Sequence, residues 1–84
     1  MSELIAVVAA EYAGDYKINL RFSDGAAKVV DFSAWLHGEV FQPLRSKREF
    51  KRFFIAGGTV CWPNGADIAP ETLRQAKSAA RSAA

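Results

Sequence analysis

Alternation of apolar and polar side chains over residues 16–22 constrains the fold more than any other feature of this chain. Every second position in that stretch is apolar, namely Tyr16, Ile18, Leu20 and Phe22. Successive side chains of a β-strand point to opposite faces, so a period of two predicts a strand with one buried and one solvated face. A chain of 84 residues has room for only one small domain, so this strand is expected to belong to its core.

The segment Ser23-Asp24-Gly25 follows this strand and is typical of a hairpin. A two-residue loop would place Ile18 opposite Asp31. A three-residue loop with Gly25 in the left-handed region would place Ile18 opposite Val30. The second register gathers apolar side chains on one face, which is what fixes a register, and it is the predicted one.

Further strands are predicted on both sides of this hairpin. The apolar run over residues 4–10 predicts a strand that ends near Tyr12. Gly57-Gly58 separates residues 54–56 from residues 59–62, which predicts a second hairpin, and Asn64-Gly65 predicts a type I′ turn into a strand over residues 66–68. The second half of the chain is therefore expected to form a second three-stranded meander.

Helices are predicted at three places. Asp31 or Ser33 is expected to cap a helical turn over residues 34–36. Ser46-Lys47-Arg48-Glu49 matches a capping box, and three phenylalanines follow at helical spacing, which predicts an amphipathic helix over residues 47–53: Phe50, Phe53 and Phe54. Pro70 suits the first turn of a final helix.

The predicted fold class is α+β, with two antiparallel three-stranded meanders, a short amphipathic helix between them and a C-terminal helix. One domain is expected over residues 1–76, followed by a frayed tail over residues 77–84. The longest apolar run is far shorter than the roughly 20 residues that span a bilayer, and no basic segment precedes it. The lone cysteine, Cys61, fits a reducing compartment. A cytoplasmic protein is expected, without membrane association.

Charge is unevenly distributed along the chain. Residues 1–44 carry three basic and six acidic side chains, whereas residues 45–84 carry eight basic and three acidic ones. On a helical wheel, four cations of the predicted helix form one arc of roughly 140°, opposite the phenylalanines, with a fifth in the preceding loop. We call these five the basic surface: Arg45, Lys47, Arg48, Lys51 and Arg52. It is either a binding face for an acidic protein or a nucleic acid, or a solvated helix face.

The loop over residues 62–67 is a second candidate site. Trp62 would be its aromatic anchor, flanked by Asn64 and Asp67. The alternative is a core tryptophan followed by ordinary turn residues, with Asp67 as a cap of the last helix.

No catalytic residue, metal ligand or cofactor site is predicted. His37 has no second His or Cys to share a metal, and Cys61 between Val60 and Trp62 is expected to be a structural thiol. Glu49 and Asp31 are better explained as helix caps than as an acid–base pair. We therefore expect a protein that is not an enzyme.

Three segments together resemble an uncharacterised bacterial family, domain of unknown function 2442, over about residues 4–75. They are residues 22–25, residues 40–44 and, most specifically, residues 58–68. The resemblance implies a small α+β domain and no established catalytic residue. Some longer members carry a helix-turn-helix domain, and short members often lie beside another small protein, as toxin–antitoxin pairs do. The resemblance implies an interaction module, antitoxin-like or regulatory, with a small protein partner, and the basic surface is compatible with an acidic one. Nucleic-acid binding through residues 45–52 is the alternative, and self-association stays open.

Overall fold

Two antiparallel sheets and short helices make up the computed structural model, which describes residues 5–79. Strands β1 (Val7–Tyr12), β2 (Lys17–Phe22) and β3 (Ala27–Asp31) form a sheet in the order β1-β2-β3. Strands β4 (Phe54–Ala56) and β5 (Thr59–Cys61) form the second sheet. Two 3₁₀ helices, Ser33–Trp35 and Gln42–Arg45, precede helix α1 (Lys47–Phe50), and helix α2 (Pro70–Gln75) follows the second sheet. The predicted α+β class is confirmed.

The predicted register of the first hairpin is confirmed. Ile18 pairs with Val30, and the N–H of Phe32 donates to the carbonyl of Tyr16 at 2.8 Å. Gly25 has a φ of +90°, which lets the three-residue loop close without the steric cost that a side chain would add. Apolar residues thus share the inner face of the sheet.

Strand β1 is less buried than its continuous apolar sequence suggests. Its pairing with β2 is interrupted between Val7 and Ala9, where a bulge gives β1 one extra residue. Val7 is buried, but Val8 is 55% exposed. The apolar run therefore supplies one face of the sheet and leaves part of the other open.

A cluster of aromatic rings forms the centre of the core. The rings of Phe32, Phe50 and Trp62 contact one another, with centroids 5.8 Å apart in each pair. Tyr12 and Tyr16 contact Phe50 edge-on at 6.3 and 5.5 Å. Such edge-to-face pairs add roughly 0.5–1.5 kcal/mol each beyond the area they bury. Phe50 therefore fixes helix α1 against the first sheet.

The second meander differs from its prediction. Residues 66–68 form no strand, and their pairing with β5 is a single bridge between Cys61 and Asp67. The turn before them is not type I′, because Gly65 has a φ of +92° but Asn64 is not in the positive-φ region. Trp62 and Ala66 close a three-residue loop instead, through a 2.9 Å bond from the Trp62 N–H to the Ala66 carbonyl.

The two three-residue loops are built alike. In the first, the Ala26 N–H donates to Oδ1 of Asp24 at 3.0 Å. In the second, the Ala66 N–H donates to Oδ1 of Asn64 at 3.1 Å. Each loop thus uses an Asp or Asn side chain to turn the backbone, followed by a glycine with positive φ.

Helix α1 is shorter than predicted and lacks the capping box. It ends at Phe50, and Phe54 lies in β4 instead of on a helical stripe. Ser46 occupies the N-cap position but its side chain makes no capping hydrogen bond. The carboxylate of Glu49 pairs with Arg52, so it does not bond back to the cap. The hairpin at Gly57-Gly58 requires Phe54 in its first strand, and this pairing ends the helix early.

Helix α2 begins at Pro70, as predicted, and closes the core through buried Leu73. Its N-cap is Ala69, so the suggested cap at Asp67 is wrong. Beyond the helix, the Ala79 N–H donates to the Val29 carbonyl on the edge of β3 at 2.7 Å. Residues 80–84 of the predicted frayed tail lie outside the described residues. None of the helices within residues 5–79 has the length and apolar character to cross a bilayer.

Lys28 and Asp24 attach helix α2 to the first hairpin. Lys28 Nζ donates to the carbonyls of Arg74 and Ala76 at 2.6 Å each, at the helix end where cations are favoured. Arg74 Nε pairs with Asp24 Oδ2 at 3.0 Å. The Ala26 N–H and then the Arg74 side chain hold the pKa of the Asp24 carboxyl below its ordinary value of 3.8.

Candidate functional site

The basic surface is exposed, and a buried phenylalanine supports it from behind. Arg45 ends the second 3₁₀ helix, Lys47 and Arg48 lie in α1, and Lys51 and Arg52 lie in the turn after it. All five side chains are exposed, whereas Phe50 between them is fully buried. The sequence placed these cations opposite Phe50, and the short helix with its following turn keeps that arrangement.

Two lysines of the basic surface lie over tyrosine rings. Lys47 Nζ is 5.6 Å from the Tyr16 ring centroid and 3.3 Å from Oδ1 of Asp15. Lys51 Nζ is 4.8 Å from the Tyr12 ring centroid. Cation–π contacts at exposed sites are worth roughly 0.5–1 kcal/mol, so both lysines are held close to the first sheet. The Tyr16 hydroxyl also donates to the Arg45 carbonyl, which anchors the start of this surface.

The arginines are less restrained. Arg52 pairs with Glu49 at 3.2 Å, but both side chains are exposed, and such surface pairs contribute at most about 1 kcal/mol. Arg45 and Arg48 make no ion pair within residues 5–79. Their planar guanidinium groups can bind carboxylates or phosphates through two parallel hydrogen bonds.

An exposed apolar strand follows the basic surface after one intervening residue, Phe53. Phe54 is 45% and Ile55 is 37% exposed, and every residue of β4 faces solvent. The strand over residues 54–56 is the first strand of the hairpin that Gly57-Gly58 predicts, so this prediction is confirmed. Its exposure is not predicted, because Phe54 is also counted among the apolar residues of the predicted helix, and a residue in this strand cannot also lie on a helical stripe.

The candidate loop over residues 62–67 does not form one surface. Trp62 is 1% exposed, and its Nε1–H donates to the Phe50 carbonyl at 2.8 Å, as a core tryptophan requires. Asn64 is exposed, and its Nδ2 donates to the Val40 carbonyl at 2.8 Å. Asp67 is exposed beside a separate groove. The three residues therefore point to different places.

The remaining polar residues have structural surroundings. Oδ1 of Asp31 accepts the Ser33 N–H at 2.9 Å at the start of the first 3₁₀ helix. Cys61 is half-buried, with its Sγ 3.5 Å from the Ala56 carbonyl. His37 is exposed. Across the part of the chain that the structure describes, no three His, Cys, Asp or Glu side chains are grouped to hold a metal ion.

Comparison with known proteins identifies a family. A match to the family described as "Protein of unknown function (DUF2442)" covers residues 7–79, which includes both sheets, both α-helices and the basic surface. No curated protein and no solved structure gives a match. The resemblance inferred from three sequence segments is confirmed, and the chain belongs to the DUF2442 family.

Proposed function

We propose that this protein is a non-enzymatic interaction module that binds a small acidic protein through the basic surface and strand β4. We infer an antitoxin-like or regulatory role in a two-gene bacterial system, because short family members often lie beside another small protein. The observation that supports this proposal is that two exposed apolar side chains, Phe54 and Ile55, follow the exposed Arg52 in sequence, with only Phe53 between them.

Charge and apolar area together support a protein partner. Interface cores are enriched in aromatic residues and arginine, and Phe54, which is near Arg48 and Arg52 in sequence, supplies both residue types with them. Lysine contributes less to interfaces, and here Lys47 and Lys51 already contact tyrosine rings. An acidic partner would gain association rate from the cations and residence time from burial of β4.

Nucleic-acid binding is the alternative. The net excess of positive charge after residue 44 supports it. Against it, Asp15 pairs with Lys47 and Glu49 pairs with Arg52, so phosphates that bind these cations would meet two carboxylates. A polyanion would also leave Phe54 and Ile55 solvated or in contact with charge, whereas a folded protein can bury them.

The test uses the protein encoded by the adjacent gene as the candidate partner. The first variant is Arg48→Gln with Arg52→Gln, because these arginines contact no ring and their loss opens no cavity. The matched control is Arg21→Gln with Lys77→Gln, which removes the same charge from exposed positions elsewhere. A second variant, Phe54→Ser with Ile55→Thr, removes the apolar component.

Binding is measured across a salt series by surface-immobilised kinetics. The arginine variant should associate about tenfold more slowly at low salt, and the β4 variant should dissociate faster. The control should match the parent. Equal binding by parent and both variants would refute the proposal. Retention on DNA that weakens with salt, with a log–log slope reduced by about one per lost contact, would favour the alternative.

A further inference from the structure

A groove separate from the basic surface lies between the first 3₁₀ helix and the start of α2. It has a volume of about 310 Å³, enough for a ligand of a few non-hydrogen atoms. Six residues line it, none of them from the basic surface: Trp35, His37, Phe41, Asp67, Ile68 and Thr72. Its walls are mostly apolar and its polar groups are few, as in small-molecule sites.

Two aromatic rings are fixed in the walls of this groove. Trp35 contacts Phe32 edge-on, with centroids 5.4 Å apart and ring planes at 83°. Phe32 is fully buried, so it holds the Trp35 ring in place. Trp35 and Phe41 are both half-buried, with part of each ring packed on the core. Rings held in this way bind a ligand without further ordering cost.

The charge of the groove is negative. Asp67 is exposed, and its carboxylate makes no hydrogen bond or ion pair within residues 5–79. No lysine or arginine lines the groove. A neutral apolar ligand would desolvate this carboxylate without compensation, and an anion would be repelled. A single carboxylate also falls short of the six or more oxygen ligands that Ca²⁺ takes.

An organic cation satisfies both the rings and the carboxylate. Ammonium groups are attracted to the faces of tryptophan and phenylalanine, and alkylated ammonium groups are recognised in this way by aromatic cages. We propose that this groove binds a small alkylammonium compound, whose charged group pairs with Asp67 and whose alkyl groups contact Trp35 and Phe41. This binding is independent of the protein partner proposed above.

The two tryptophans allow a direct test. The full chain is titrated with choline, and in parallel with 3,3-dimethylbutan-1-ol, which has the same shape without the charge. The two indole N–H resonances are followed by ¹H–¹⁵N NMR. Choline should shift the Trp35 resonance to saturation, with a Kd on the order of 1–10 mM, because so few atoms make contact. The Trp62 resonance should not move, because its N–H is buried and bonded to Phe50.

Two variants separate the charge of Asp67 from net charge. Asp67→Asn should weaken choline binding about tenfold, the factor that 1.4 kcal/mol represents. Glu71→Gln removes the same charge from an exposed residue outside the lining and should bind like the parent. The proposal is overturned by an unmoved Trp35 resonance, by an equal response to the alcohol, or by unchanged binding in Asp67→Asn.

Discussion

The indole N–H of Trp62 donates a hydrogen bond to the backbone carbonyl of Phe50, and both side chains are fully buried. This bond joins the second three-residue loop to the end of α1, the helix that carries Lys47 and Arg48 of the basic surface. We predict that Trp62→Phe lowers the free energy of unfolding by about 2–4 kcal/mol, from lost volume and an unpaired buried carbonyl. Urea denaturation measures it. Trp35→Phe changes a half-buried ring and should lower the free energy of unfolding by less. Equal losses in the two variants would contradict the role of the Trp62–Phe50 hydrogen bond.

Gly65 lies at the end of the second loop with a φ of +92° and open space around its Cα. A β-branched side chain is strained in that conformation whatever room it has. Gly65→Val should therefore cost about 1–2 kcal/mol. Gly65→Asn should cost less, because Asn enters this region more readily. An unchanged melting temperature of Gly65→Val would contradict the positive-φ conformation assigned to Gly65 in this loop.

Ser46→Ala should change the free energy of unfolding by no more than about 0.5 kcal/mol, because its side chain makes no capping hydrogen bond. A capping box would make the loss about 1 kcal/mol. Hydrogen exchange at the amides of Lys47 to Glu49 gives a local measurement. Faster exchange at these amides in the variant, together with a loss of about 1 kcal/mol in the free energy of unfolding, would show that Ser46 does cap the helix.

Asp24 predicts a pH dependence. Because its pKa in the folded protein is below 3.8, the ionised carboxylate stabilises the fold above that value. The stabilisation is lost as the pH falls through the folded pKa. Asp24→Asn should thus be less stable than the parent at neutral pH, and the two should converge in acid. Denaturation at pH 7 and pH 3 measures the difference in the free energy of unfolding between parent and variant. A difference that grows at the lower pH would contradict the lowered pKa of Asp24.

Local pairing rules predicted the first sheet because its strands are consecutive and their register is decided by nearby residues. The preferred register places Lys28 beside Leu20 on the inner face, which looks unfavourable from the sequence. The structure explains it, since Lys28 reaches the carbonyls at the end of α2, 46 and 48 residues away. No local pattern can reveal such a partner.

In the second half, the predicted hairpin and final helix form, and the prediction is wrong where two local signals compete. Phe54 satisfied both a helical stripe and a strand before Gly57-Gly58, and pairing with Cys61 decided for the strand. Asn64-Gly65 is compatible with several turns, and the closure of Trp62 on Ala66 selected a three-residue loop. Periodicity identified the cations as exposed, but the tyrosines that hold Lys47 and Lys51 come from another part of the chain.

The attachment of α2 to the first hairpin determines when the fold can be completed during synthesis. A ribosome makes Asp24 and Lys28 well before Arg74, which is 50 residues after Asp24. Until that helix emerges, the ammonium of Lys28 lies on an apolar sheet face without its carbonyl partners, and Leu73 does not yet cover the core. We expect the nascent hairpin to stay open to chaperones and proteases, and the chain to become resistant only once residues 73–79 have left the ribosome.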